Sequence, residues 1–132
     1  MGQQQLLLIV LGVIIVGIAI VVGINLFTAN SSQANRDGVI ADLTNLASMA
    51  QQYYRKPTSI GGGGNTFNLP SPGWIVPAAI DTTGNGIYTA TVTAQSVTLV
   101  GTGTEKGNNG TSAVKVTMVV GPSSITSTTI NN

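Results

Sequence analysis

Leu6–Ile24 reads LLLIVLGVIIVGIAIVVGI, 19 residues interrupted only by Gly12, Gly17 and Gly23. Wound as an α-helix at 1.5 Å per residue, the run reaches about 28 Å, close to the hydrocarbon thickness of a bilayer. It is apolar on every side, so it has no face to turn toward water. The rest of a 132-residue chain is too small to enclose such a helix, which calls for lipid or for other apolar helices around it. The polar head Gly2-Gln3-Gln4-Gln5 precedes the run, and the first charged side chains of the chain are Arg36 and Asp37. A secretory signal would carry a basic segment before the core and a small-residue cleavage site after it. A signal anchor would carry flanking Lys or Arg. Neither pattern is present, which predicts that a basic leader is removed just before residue 1 and that Met1 is a processed N-terminus. An unprocessed start is the alternative.

The helical period continues beyond the apolar run. Asn30-Ser31-Ser32 marks a boundary, after which Val39/Ile40, Leu43, Leu46/Ala47, Met49/Ala50 and Tyr53/Tyr54 recur at three- and four-residue spacing. They make one apolar stripe. The opposite face is expected to carry Arg36, Asp37, Asp42, Asn45 and Gln52. Pro57 ends the pattern, and Gly61–Gly64 follows as a break. If the two halves are continuous, residues 3–56 form one helix of roughly 80 Å.

From Phe67 the texture turns to Thr, Val, Gly and Asn. Strands are predicted over 86–94 (GIYTATVTA), 95–101 (QSVTLVG) and 113–120 (AVKVTMVV), with a weaker one over 124–130. The segments 81–86 and 107–110 read as turns. A few short strands need an apolar cover, and the stripe from Val39 to Tyr54 supplies it. The expected fold is α+β: a long N-terminal helix, its first half apolar and its second half amphipathic, packed on a small antiparallel sheet. Residues 1–28 form the apolar segment, 29–56 the amphipathic continuation and 57–132 the Thr/Gly-rich sheet domain.

Composition narrows the function. Only 7% of residues are charged, and the net charge is +1, which leaves nothing to neutralise a phosphate backbone; nucleic acid is not an expected partner. The chain has no cysteine and no histidine. That removes disulfides, thiolate or imidazole metal sites, and Ser-His-Asp or Cys nucleophile chemistry. No catalytic, metal or cofactor site is expected, and the chain is not read as an enzyme.

The layout resembles the type IV pilin family, and two stretches carry the likeness. MGQQQLLLIVLGVIIVGIAI (1–20) is similar to the family's mature N-terminus, a short polar head before an apolar run. NRDGVIADLTNLASMAQQYY (35–54) is similar to the amphipathic half of such helices. The likeness spans residues 1–56 and is architectural beyond them. It implies a subunit that polymerises with copies of itself into a surface filament serving adhesion, motility or both. It further implies residence in the cytoplasmic (inner) membrane before assembly, cleavage by a prepilin peptidase, N-methylation of Met1, and handling by a pilus assembly machinery. Gln5, Leu6, Leu7, Ile14 and Val22 would then lie in the assembly interface.

Two positions depart from the family pattern. Position 5 usually holds a glutamate thought to pair with a neighbour's N-terminal amine; here Gln5 can hydrogen-bond but cannot neutralise a charge. A proline common near position 22 is replaced by Val22, which implies a straighter helix. The missing cysteines also remove a C-terminal disulfide loop found in many members.

Weaker signals resolve to local structure. Asp81-x-Thr83-x-Asn85-Gly86 has one carboxylate, too little for a tight calcium loop, so it reads as a turn. That shortage favours a surface filament over a pseudopilin of a secretion system; a monomeric membrane-anchored binding domain is the third class. Asn30-Ser31-Ser32 and Asn109-Gly110-Thr111 fit the N-glycosylation pattern. Asn109, in an expected exposed turn, is the better candidate.

Overall fold

The structure, a computed structural model, describes residues 2–132, so the processing and methylation expected at Met1 lie outside the described residues. A single helix, α1, runs unbroken over Gly2–Arg55. Its 54 residues span about 81 Å. Gly12, Gly17 and Gly23 weaken helix propensity but leave the backbone bonds intact, and no proline occurs before Pro57. At the C-terminus the glycine run does more than interrupt. It folds back so that the Gly63 and Asn65 N–H groups donate to the carbonyls of Tyr53 and Tyr54 at 2.8 Å each. These are carbonyls that a helix end leaves without partners. The fold-back needs Gly61 and Gly64 at positive φ, 85° and 58°.

Four strands follow: β1 (Gly86–Val92), β2 (Val97–Lys106), β3 (Ala113–Val120) and β4 (Ile125–Ile130). They form an antiparallel meander in chain order. Tyr88 pairs with Gly101 across β1–β2, and Leu99 with Met118 across β2–β3. The second strand extends five residues past the predicted end, because Thr102 and Gly103 pair with β1, and Thr102 and Lys106 pair with β3 across an irregularity in register, although the side chains do not alternate in polarity.

Only the second half of α1 packs on this sheet, across β2 and β3. Val39, Leu43, Leu46, Ala47 and Ala50 meet Tyr88, Val97, Leu99, Val114, Val116, Met118 and Val120 in one core. Phe67 and Trp74, from the connection between α1 and β1, close its far end. The Tyr54 ring lies against Phe67 with centroids 4.8 Å apart, and the Tyr53 hydroxyl donates to the Leu69 carbonyl at 2.8 Å. The tyrosine pair thus borders the core, in keeping with its place on the apolar stripe. The last strand lies beyond the reach of the helix, and every residue of β4 is exposed.

Two expectations for the polar face of α1 are corrected. Arg36 is not solvated; it is only 8% exposed. Three residues before Val39 and seven before Leu43, it sits on the buried stripe, and the tip of the β2–β3 hairpin reaches back over it. Asp42 is half-buried rather than free, because the 81–86 turn crosses that flank of the helix. Asp37, Asn45 and Gln52 are exposed as expected.

Candidate functional site: an uncovered helical shaft and its neck

The head just described leaves the first half of α1 with no cover. Every large apolar side chain from Leu6 to Phe27 is exposed, from 49% at Val22 to 74% at Phe27. Leu6, Leu7, Ile14 and Val22, expected in an assembly interface, all belong to this surface. So does Gln5, exposed with Gln3 and Gln4 in the polar head of the shaft. The shaft is long and apolar enough to cross a membrane, and none of its most apolar stretch is buried within the chain.

Between shaft and head lies a neck that fixes their relative direction. The Ser32 hydroxyl donates to the Lys106 carbonyl at the end of β2. Asn35, buried, donates through Nδ2 to the Asn85 carbonyl at 2.8 Å and accepts at Oδ1 from the Glu105 N–H at 3.2 Å. One side chain thereby joins α1 to the start of β1 and the end of β2. Gly103 is required beside it, since a Cβ there would collide with Asn35 Oδ1. The Arg36 guanidinium donates to Gln33 Oε1 at 3.0 Å and to Asn108 Oδ1 at 2.8 Å, both neutral acceptors, while its buried Nε has no partner.

About two turns further, Asp42 makes a second tie. Its Oδ2 accepts from the Tyr88 hydroxyl, from Thr83 Oγ1 at 2.9 Å and from Asn85 Nδ2 at 3.1 Å. Partial burial alone would raise the carboxyl pKa, but the three donors outweigh it and the net direction is downward. Burial, then the bond to Asp42, pushes the Tyr88 phenol up to about 12. Thr83 and Asn85, which sequence placed in a turn of calcium-loop spacing, are occupied in holding this carboxylate. Among the described residues no three metal-binding side chains are grouped together.

The two glycosylation patterns are placed differently. Asn30 lies inside α1, whereas Asn109 is exposed at the β2–β3 tip. There its Oδ1 accepts from the Thr111 and Ser112 N–H groups at 2.9 Å each. Sequence reasoning missed the neck, although Asn35 and Arg36 stand at core spacing before Val39. A polar residue at an apolar register position was the available signal. No family model, no curated protein and no solved structure matches this chain.

Proposed function

We propose that this chain is the structural subunit of an extracellular filament of the type IV pilin kind, built through residues 2–28 and displaying its sheet domain outward. The observation that supports the reading is the contrast within one helix. Residues 35–54 bury their apolar stripe in a complete core of their own, while every large apolar side chain from Leu6 to Phe27 is exposed. Lipid satisfies the shaft before assembly, and the shafts of neighbouring copies replace lipid after it. At about 25 cal/mol per Å² of apolar surface removed from water, a continuous apolar cylinder on every subunit is a sufficient source of cohesion. No bound group or chemistry is needed, and the role is not enzymatic. The Thr- and Gly-rich sheet domain is the part available for adhesion or motility contacts.

The test is electron microscopy and sedimentation of the protein released from its native cells, with N-terminal peptide mass analysis alongside. Filaments that dissociate only into detergent-requiring subunits, with a methylated Met1 amine, are expected. A monodisperse intact chain that stays soluble without detergent would refute the proposal. An apolar membrane anchor that never polymerises would leave the same chain as particles confined to detergent micelles.

A further inference from the structure

The shaft carries polar side chains at two levels only. Gln3, Gln4 and Gln5 form the first; Asn25, Thr28, Asn30 and Ser31 begin the second, at the neck. Between them, Leu6 to Ile24 offers no side-chain donor or acceptor. We infer that in the polymer the polar head of one copy docks against the neck of a contacting copy, Gln3–Gln5 against Asn25–Ser31, with the two shafts parallel and offset by about 36 Å. This inference rests on the filament reading of the preceding section.

Copies drawn from one membrane share an orientation, so their shafts pack parallel. Copies at equal height would close a disc and could not extend a filament, so successive copies are shifted along the axis. A small shift sets three amides against a neighbour's bare apolar run. An amide buried there gives up its hydrogen bonds to water and gains none in exchange. Each head therefore needs at least one contacting neighbour whose polar level it reaches. The next polar level above the head is the neck. Moving Gln4 to the height of Thr28 is a shift of 24 residues, about 36 Å at 1.5 Å per residue.

The neck is suited to receive it. Asn25, Thr28 and Asn30 are exposed, and Ser31 is half-exposed, whereas Ser32 and Arg36 are committed to the hairpin tip. Thr28 Oγ1 donates to the Ile24 carbonyl of its own helix at 3.0 Å, which leaves its lone pairs open to a glutamine N–H. The Asn25 and Asn30 amides supply both donors and acceptors. At this offset the apolar runs of the docked pair, each about 28 Å long, succeed one another along the axis, so each run packs against further copies at intermediate heights while its polar head keeps a polar partner.

The chain's lack of cysteine makes the test direct. Single cysteines are introduced at Gln4, Ile14 and Thr28, and filaments are grown from pairwise mixtures, then treated with a short bis-maleimide. Gln4→Cys with Thr28→Cys is expected to give the dominant cross-linked dimer, with Gln4→Cys alone and Gln4→Cys with Ile14→Cys giving little. Dominant head-to-head or head-to-middle dimers in intact filaments would overturn the offset while leaving the filament reading standing. Unsubstituted filaments provide a second measurement that does not depend on the variants assembling. Their helical reconstruction should contain a contacting pair of shafts displaced by about 36 Å, and the absence of any such pair would overturn it equally. A chain that forms no filament at all would instead refute the preceding proposal.

Discussion

Substituting Ile14→Lys places a charge midway along the shaft and tests whether this helix is the core of an assembly. Ile14 is 53% exposed within the chain, so about half of its side chain remains for a neighbour or for lipid to cover. Full burial of an isoleucine contributes roughly 1.5–3 kcal/mol, and half of that is about 1 kcal/mol. A lysine at the centre of an apolar helix costs about 2.5–3.5 kcal/mol more. The total, about 4 kcal/mol per subunit, corresponds to roughly a thousandfold rise in the concentration needed for assembly, at 1.4 kcal/mol per tenfold. Sedimentation of filaments over a concentration series reads this directly. Ile14→Val, which removes one methylene, should cost only about 0.5–1.5 kcal/mol and shift assembly by roughly tenfold or less. A thermal melt of the sheet domain guards against misfolding. The Ile14 side chain takes no part in the head core, so the melt should be unchanged. An Ile14→Lys chain that assembles at the concentration of the unsubstituted protein, with its head folded, would show that the shaft is not buried in the polymer.

Gln5→Glu should give the proposed assembly a pH dependence that the unsubstituted chain is expected to lack between about pH 4 and 9, because a carboxylate in an apolar bundle favours protonation unless an amine is in reach; sedimentation across pH, with high salt as a second axis that leaves apolar burial intact, distinguishes the cases. In the head, the carboxyl pKa of Asp42 is depressed by its three donors. The stability this adds is present above the ordinary value of 3.8 and is lost as pH falls through the lower folded value; Asp42→Asn should flatten thermal melts across that acid window. Tyr88 has the opposite sign, its folded pKa being raised from 10.0 to about 12, so stability present below pH 10.0 declines toward pH 12, and Tyr88→Phe should remove that decline. Asn35→Ala should lower head stability by about 1–3 kcal/mol in denaturant melts, since it leaves the Glu105 N–H and the Asn85 carbonyl without their partner.

Helix and sheet were legible because their periods are strong. The 3.6-residue stripe from Val39 to Tyr54 and the alternation of Val114, Val116, Met118 and Val120 both correspond to buried faces. The strand Ala113–Val120 has the predicted limits. What escaped was whatever tertiary contact decides. Phe67 and Trp74 belong to no period, and they enter the core because the glycine fold-back turns the connection onto the helix end. Arg36 and Asp42 were assigned to water by residue type, whereas register position and a crossing turn decide their burial. The shaft was legible for a simpler reason, since nothing packs on it to override its composition.

The neck gives the shaft mechanical meaning. An apolar cylinder alone associates without fixing rotation about its axis, because the hydrophobic effect has no direction. Ser32, Asn35 and Arg36 bind the middle of the same helix to Lys106, Asn85, Glu105 and Asn108 on the head, and Asp42 adds a further tie about two turns on. In the proposed filament, a rotation or axial shift set among the shafts would therefore be carried into the position of each sheet domain. The reverse would hold as well: heads that abut around the proposed filament would restrict the rotations open to their shafts. The polar bonds of the neck contribute little net free energy each, but they are directional, and the core from Val39 to Ala50 holds them in place. In the filament proposed above, apolar burial would supply the cohesion and the neck would convert it into a repeating arrangement of heads.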